Sequence, residues 1–225
     1  MVRSSIIKVN HTVYTSTYNI RKGIKKLLAT NDLMSFDTEV RSVYDKETRK
    51  EAKDYLKDVN TSDSLYKQAM LVKESSGLSF PSIVNTTHFI FGTSREESHI
   101  FVCNNPSIEM FIWEEIAKYE GTLLVHNSLF DLKIMYQRVK KLPKNFIDTS
   151  LLVKSMINHV DIWKAKVSLK ELMGSYYDPK WVLMEDYEPE DLKNKDFISY
   201  CAIDGAATMY LYELILEELE NAKTE

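Results

Sequence analysis

The sequence predicts an α/β fold, a mixed sheet flanked by helices, and three observations lead there. Strand-like apolar runs alternate with longer stretches at helical period. Two of the strand-like runs flank the polar turn "TSREES", which makes a hairpin. The segments then follow in the order strand, hairpin, helix, strand, helix, strand, helices.

In chain order, Ile20, Ile24, Leu27 and Leu28 of "TSTYNIRKGIKKLLAT" fall at helical spacing with basic residues on the other face, predicting a helical N-terminal extension over 12–32. "LMSFDTEV", residues 33–40, is a short strand. Residues 41–85 differ in character, with the charged "YDKETRKEAKDYLKDVN" followed by the loop-like "KESSGLSFPS". They form either an insertion acting as a lid or docking surface, or a plain solvated helix. The hairpin is "THFIFGTSREESHIFVCN", and "PSIEMFIWEEIAKYE" after it opens with Pro106 and Ser107 as an amphipathic helix. "GTLLVHN" is a buried strand, and "SLFDLKIMYQRVKK" is a helix capped by Ser128. "NFIDTSLL" reads as a strand entering a helix, and "SLKELMG" as a short helix ending at Gly174. The last long helix covers about 194–220.

The 225 residues suit one domain, 1–225, with a full core. A hydrophobic fraction of 44% and a charged fraction of 28% are ordinary for a soluble globular chain. The net charge of -4 gives no global signal for nucleic acid, although a local basic patch is enough to guide a phosphate backbone. Cys103 and Cys201 lie far apart in apolar segments and read as reduced core thiols. The N-terminal residues lack the apolar core of a signal peptide, and no segment approaches a membrane span, so the expectation is a soluble cytoplasmic protein with no membrane partner. If the protein is viral, the compartment is the host cytoplasm.

The chemistry lies in the acids. Alternation on a strand puts Asp37 and Glu39 on one side and Thr38 on the other. Asp131 falls in the first turn of a helix after a buried strand, and Tyr200 and Asp204, four residues apart, share one helix face. Each acid sits in an apolar stretch, where a lone charge is costly to bury. Singly, each has a structural reading: a cap, a first-turn acid complementing the helix dipole, a hydrogen bond on a helix face. Together they call for a cation. Hard oxygen ligands in this number suit Mg²⁺ or Mn²⁺, and two such ions roughly 3.5–4 Å apart stabilise the attacking and leaving oxygens of a phosphodiester displacement.

The ordered set resembles the DnaQ-like, or DEDD, 3'-5' exonucleases, whose fold is a ribonuclease-H-like mixed sheet of five strands flanked by helices. "FDTEV" matches the family's first motif with Asp37 and Glu39, "HNSLFD" its second with Asn127, Phe130 and Asp131, and "YCAID" the third motif of the tyrosine branch with Tyr200 and Asp204. The histidine branch would require His where Ser199 stands. "FIDTSLL" and "KVSLKELMG" are similar to proofreading domains of family A DNA polymerases and their phage relatives. Residues 41–85 have no counterpart in this pattern.

The resemblance implies a two-metal-ion enzyme removing 5'-mononucleotides from the 3' end of single-stranded DNA, with a DNA polymerase module or replication protein as a possible partner. Asp37, Glu39 and Asp204 would hold the first ion, Asp37 would bridge to the second, and Asp131 would act on the second. Tyr200 would orient the attacking water. Thr38 would offer its backbone, and Asn127 and Phe130 their side chains, to the substrate. A basic groove would come from Lys166 with Lys164 and Lys170, from residues 140–144, or from residues 21–26, although lysine runs are commonly solvated faces. His126 reads as structural. Two rival readings stay open: an exoribonuclease of the ribonuclease D type, and a catalytically silent nucleic-acid-binding module.

Overall fold

The computed structural model describes residues 6–44, 46–58, 65–74, 84–156, 167–184 and 191–223. The expected mixed sheet is built around one extended passage of chain that changes partners at Phe36. Before it, β2 (Leu33–Ser35) pairs in parallel with β6 (Thr122–Val125), which pairs in parallel with β7 (Asn145–Asp148). After it, β3 (Asp37–Ser42) pairs antiparallel with β4 (Val84–Ser94), and β4 with β5 (Glu97–Val102). The Phe36 N–H donates to the Leu124 carbonyl at 2.8 Å, carrying the β6 pairing up to the changeover.

Among the described residues the expected strand at 33–40 is thus split into β2 and β3, and one further strand lies outside the five expected. β1 (Asn10–Tyr14) lies parallel to β5 at the edge, and α1 starts only at Thr17 and runs to Thr30. The β-branched and aromatic residues of "HTVY" fit a pleated surface, and Tyr14 stacks on Phe101 with ring centroids 4.4 Å apart. Ser16 then accepts a hydrogen bond from the Asn19 N–H and starts the helix.

Alternation along the strands divides the core between the two faces of the sheet. Phe89, Phe91 and Phe101 face α1, α4 (Pro106–Ile116) and α5 (Leu129–Val139), meeting Ile24, Ile112, Trp113 and Met135. Ile90 and Ile100 face α9 (Lys195–Asn221), with α6 (Thr149–Met156), α7 (Leu169–Met173) and α8 (Pro179–Leu183) packed around it. Cys103 and Cys201 are buried free thiols, as expected.

The segment expected as an insertion holds two helices, α2 (Lys46–Asp58) and α3 (Tyr66–Glu74), which pack on each other through Ala52, Ala69 and Val72. Its two ends belong to the sheet: Ser42 pairs with Val84, Arg41 with Asn85 and Val40 with Thr86. Buried Glu109 fixes that return, accepting from the Thr86 hydroxyl at 3.1 Å and from Arg138 Nε at 2.9 Å, while Arg138 also donates to the Val84 carbonyl.

Candidate active site

The acid-bearing strand, the start of α5 and the middle of α9 meet along a cleft of about 490 Å³. Asp37, Thr38, Glu39, Asn127, Phe130, Asp131, Tyr200 and Asp204 all line it, so motifs up to 167 positions apart in sequence (Asp37 to Asp204) share one site. Local devices place each of them. On β3 the pairing register shifts between Glu39 and Val40, leaving Thr87 of β4 unpaired, and the Thr87 hydroxyl donates to the Glu39 carbonyl at 3.1 Å. Asn127 takes a left-handed φ of 61° at the turn between β6 and α5. Asp148 at the end of β7 holds this turn by accepting from the Asn127 N–H (3.2 Å), the Ser128 N–H (2.8 Å) and the Ser150 hydroxyl (2.7 Å).

The long helix is seated by a close backbone approach to the sheet. At Gly205 it crosses Gly92 of β4, and an added Cβ at Gly205 would meet the Gly92 nitrogen at 3.1 Å. Two strand serines lock the crossing. Ser35 donates to the Gly205 carbonyl at 2.7 Å and Ser98 to the Ala202 carbonyl at 2.7 Å, and Ser35 also accepts from the Gly92 N–H. Asp204, beside this crossing, is thereby pressed against β3.

The carboxylates of Asp37, Glu39 and Asp204 each place an oxygen within 4.8 Å of the other two. Asp131 is not in that triplet, and the Thr38 hydroxyl donates to it at 2.5 Å. Asp131 and Asp204 are buried, and Asp37 and Glu39 partly exposed. Burial and mutual repulsion act in one direction. Burial pushes the Glu39 carboxyl up to about 8, with the Asp204 charge adding to it. Burial takes Asp131 to about 7 against the opposing Thr38 hydrogen bond, and Asp37 rises well above the usual carboxylate range through burial and the neighbouring acids. Asp204 also rises through burial, with Lys170 and the Trp181 hydrogen bond opposing.

One oxygen of Asp204 is held and the other is open. Oδ1 accepts from the Trp181 indole N–H at 3.0 Å and lies 3.5 Å from Lys170 Nζ. Oδ2 is buried without a hydrogen-bond partner. A buried unpartnered carboxylate oxygen inside a three-acid cluster is what a cation site shows before its ion is placed. Tyr200 stacks on Phe197 and accepts from Lys170 Nζ at 3.0 Å. His126 also lines the cleft, joining Thr149 Oγ1 (3.0 Å) and the Val167 carbonyl (3.0 Å), and burial lowers its pKa.

Of the expected basic groups, Lys170 reaches the acids, whereas Lys164 and Lys166 lie outside the described residues. Lys154 on α6 lines the cleft instead of the runs at 21–26 and 140–144, and Arg21 lies stacked on Phe111 of α4. Sequence reasoning missed Asp148, Lys154 and Trp181. "FIDTSLL" was visible as a motif, but nothing in the spacing of Trp181 and Asp204 announces their contact.

The sequence profile of the 3'-5' exonucleases matches residues 94–220, more than half of the chain. The chain belongs to the 3'-5' exonuclease family. The matched stretch carries Asp131, Tyr200 and Asp204, and the fold adds Asp37 and Glu39 from outside it. Solved exonuclease structures share the fold at low identity. Escherichia coli RNase D matches with a TM-score of 0.55 at 13% identity, over 96% of this chain and 46% of that one. The catalytic core of RRP6 from Trypanosoma brucei matches with a TM-score of 0.60 at 12% identity, over 99% and 52%. Brucella melitensis NrnC, seen with Mg²⁺ bound, matches with a TM-score of 0.52 at 14% identity, over 97% and 84%. The chain therefore spans about half the length of the RNase D and RRP6 structures. No curated protein sequence matches it. This exonuclease family uses divalent metal ions, and among the described residues no helix is long and apolar enough to cross a membrane.

Proposed function

We propose that the chain is a two-metal-ion 3'-5' exonuclease that hydrolyses single-stranded DNA from its 3' end and releases 5'-mononucleotides. The observation that carries this is the convergence of Asp37, Glu39 and Asp204 within 4.8 Å, with Asp131 and Tyr200 in the same cleft. The residues suit a divalent pair: Asp204 Oδ2 is buried without a hydrogen-bond partner beside Asp37 and Glu39, and burial raises the carboxyls of Glu39 and Asp131, a cost that bound cations would offset. Asp37, Glu39 and Asp204 would hold one ion, and Asp37 and Asp131 the second. Bound there, Mg²⁺ or Mn²⁺ supplies Lewis acidity to the attacking water and to the departing 3' oxygen.

The rest is the work of the chain itself. Lys170 donates to the Tyr200 oxygen and holds the hydroxyl beside the acids, where it would orient the attacking water. Burial pushes the Tyr200 hydroxyl up, so it stays protonated in this role. Phe130 both packs on the core and lines the cleft, a surface on which a terminal base can stack. Thr38 commits its hydroxyl to Asp131 and serves substrate through its backbone; Asn127 and Lys154 meet the phosphates.

DNA is the substrate favoured by the resemblance of residues 146–174 to proofreading domains. RNA is the second reading, favoured by fold neighbours that include an exoribonuclease and a ribonuclease D bound to RNA. The test is a pair of 5'-labelled single strands, DNA and its RNA twin, incubated with Mg²⁺ or Mn²⁺ and with EDTA, beside Asp37→Ala protein. We expect a metal-dependent ladder shortening from the 3' end of the DNA and absent from the variant. Preference for the RNA twin assigns an exoribonuclease, and cleavage of neither assigns a binding module.

A further inference from the structure

Two donors of different charge meet the same oxygen of Asp204. The Trp181 indole is neutral, fully buried and 3.0 Å from Oδ1; the Lys170 ammonium is a cation, 3.5 Å from Oδ1 and 3.0 Å from the Tyr200 hydroxyl. The Lys170 side chain is only 12% exposed, and its ammonium lies over the rings of both Tyr200 (4.8 Å) and Trp181 (5.5 Å). A lysine so enclosed has little rotamer freedom left, so it sets the position of what it touches. It connects the two α9 residues of the site, one an ion ligand and the other the water-orienting hydroxyl.

We propose that Lys170 is a positioning residue that, with Trp181, turns Asp204 so that Oδ2 alone faces Asp37 and Glu39, and that fixes the Tyr200 oxygen as an acceptor. This rests on the exonuclease reading of the site. The arrangement has a signature that general loosening of the fold lacks. Trp181 holds Asp204 without charge, so losing its N–H weakens ion binding. Lys170 holds it with a positive charge beside the ion's position, so losing that charge strengthens ion binding while freeing Tyr200.

The experiment titrates Mn²⁺ into the full chain by calorimetry and measures kcat and KM on a labelled oligonucleotide, for wild type, Lys170→Met, Lys170→Arg and Trp181→Phe. Lys170→Met is expected to lower kcat about ten- to a hundredfold with KM little changed, yet to bind Mn²⁺ about threefold more tightly or better. Trp181→Phe is expected to bind Mn²⁺ about tenfold more weakly. Lys170→Arg, keeping the charge, returns the Mn²⁺ affinity to the wild-type value. Mn²⁺ affinity falling in both Lys170→Met and Trp181→Phe, or moving in neither, overturns the proposal. If wild type binds Mn²⁺ but cleaves neither nucleic acid, the exonuclease reading fails, and the opposed affinity shifts still decide the placement of Asp204. Wild type that binds no Mn²⁺ overturns both.

Discussion

Glu39 shows at the scale of one residue how the site trades stability for function. Its folded pKa, about 8, lies above its ordinary 4.5, so the folded state favours the protonated form. The associated destabilisation is absent below pH 4.5 and grows as pH rises towards 8, because burial penalises the charged form. Asp37, Asp131 and Asp204 shift in the same direction. Metal-free protein should therefore lose thermal stability from pH 5 towards pH 8, and Mg²⁺ or Mn²⁺ should restore it, more at pH 8 than at pH 6. Glu39→Gln should flatten the metal-free profile and shrink the metal-induced rise. Calorimetric melting across pH with and without metal decides this, and a Tm that rises with pH and ignores metal contradicts it. These acids were legible in the sequence because a strand and a helix each impose a fixed side-chain period. Lys154 and Trp181 were not, since the place of Lys154 in the cleft and the contact of Trp181 with Asp204 arise only when separate elements pack, and the hold of Asp148 on the Asn127–Ser128 turn likewise needs β7 beside β6.

Among the elements, α9 carries the greatest demand for close fit. A Cβ at Gly205 would lie 3.0 Å from Ile90 Cγ2, 3.0 Å from Ser98 Oγ and 3.1 Å from the Gly92 nitrogen, tight contacts that a shift of a few tenths of an ångström relieves. Replacing a helix glycine with alanine gains about 1 kcal/mol in backbone terms, which offsets much of that crowding. A Cβ at Gly92 would instead collide with the Gly205 carbonyl and stand 2.5 Å from Ser35 Oγ. Gly92→Ala should thus cost about 2–4 kcal/mol and lower nuclease activity by displacing Asp204, whereas Gly205→Ala should stay within about 1.5 kcal/mol of wild type. Urea unfolding of both variants checks the ordering, and equal losses would remove the backbone-contact explanation. That Gly205 approaches the β4 backbone became visible only in the fold. The strand at Asn10–Tyr14 escaped for a related reason: five residues at a sheet edge take their conformation from β5, and the helical period just after them dominates any sequence window.

At the level of the whole molecule, the catalytic sheet and the helical hairpin of α2 and α3 are separable in construction. Ser42 and Val84 are paired neighbours in the β3–β4 ladder, so a two-residue hairpin turn can join them directly. Glu109 and Arg138 secure the Val84 end of that ladder. Replacing residues 43–83 by Asn-Gly should leave a folded protein with its hydrolysis of short oligonucleotides intact, and should change processivity on long strands. Unchanged processivity would remove the lid or docking role for the hairpin, and loss of folding would show that it belongs to the core. The sequence marked this segment as foreign to the sheet by its charge and its loop-like return, but two helices closing on Ala52, Ala69 and Val72 lay beyond what composition tells.

The seating of α9 also bears on when, during synthesis, the acid cluster is complete. The chain emerges from its N-terminus and its early elements are made first. Asp37 and Glu39 are among them, yet β2 waits for Thr122–Val125 to pair, and the third ligand arrives with Asp204. Until α9 docks across Gly92, the emerging polypeptide holds Asp37, Glu39 and Asp131 without the Asp204 that completes the cluster. The acid cluster is thus assembled late, only once α9 has left the ribosome and docked on the sheet.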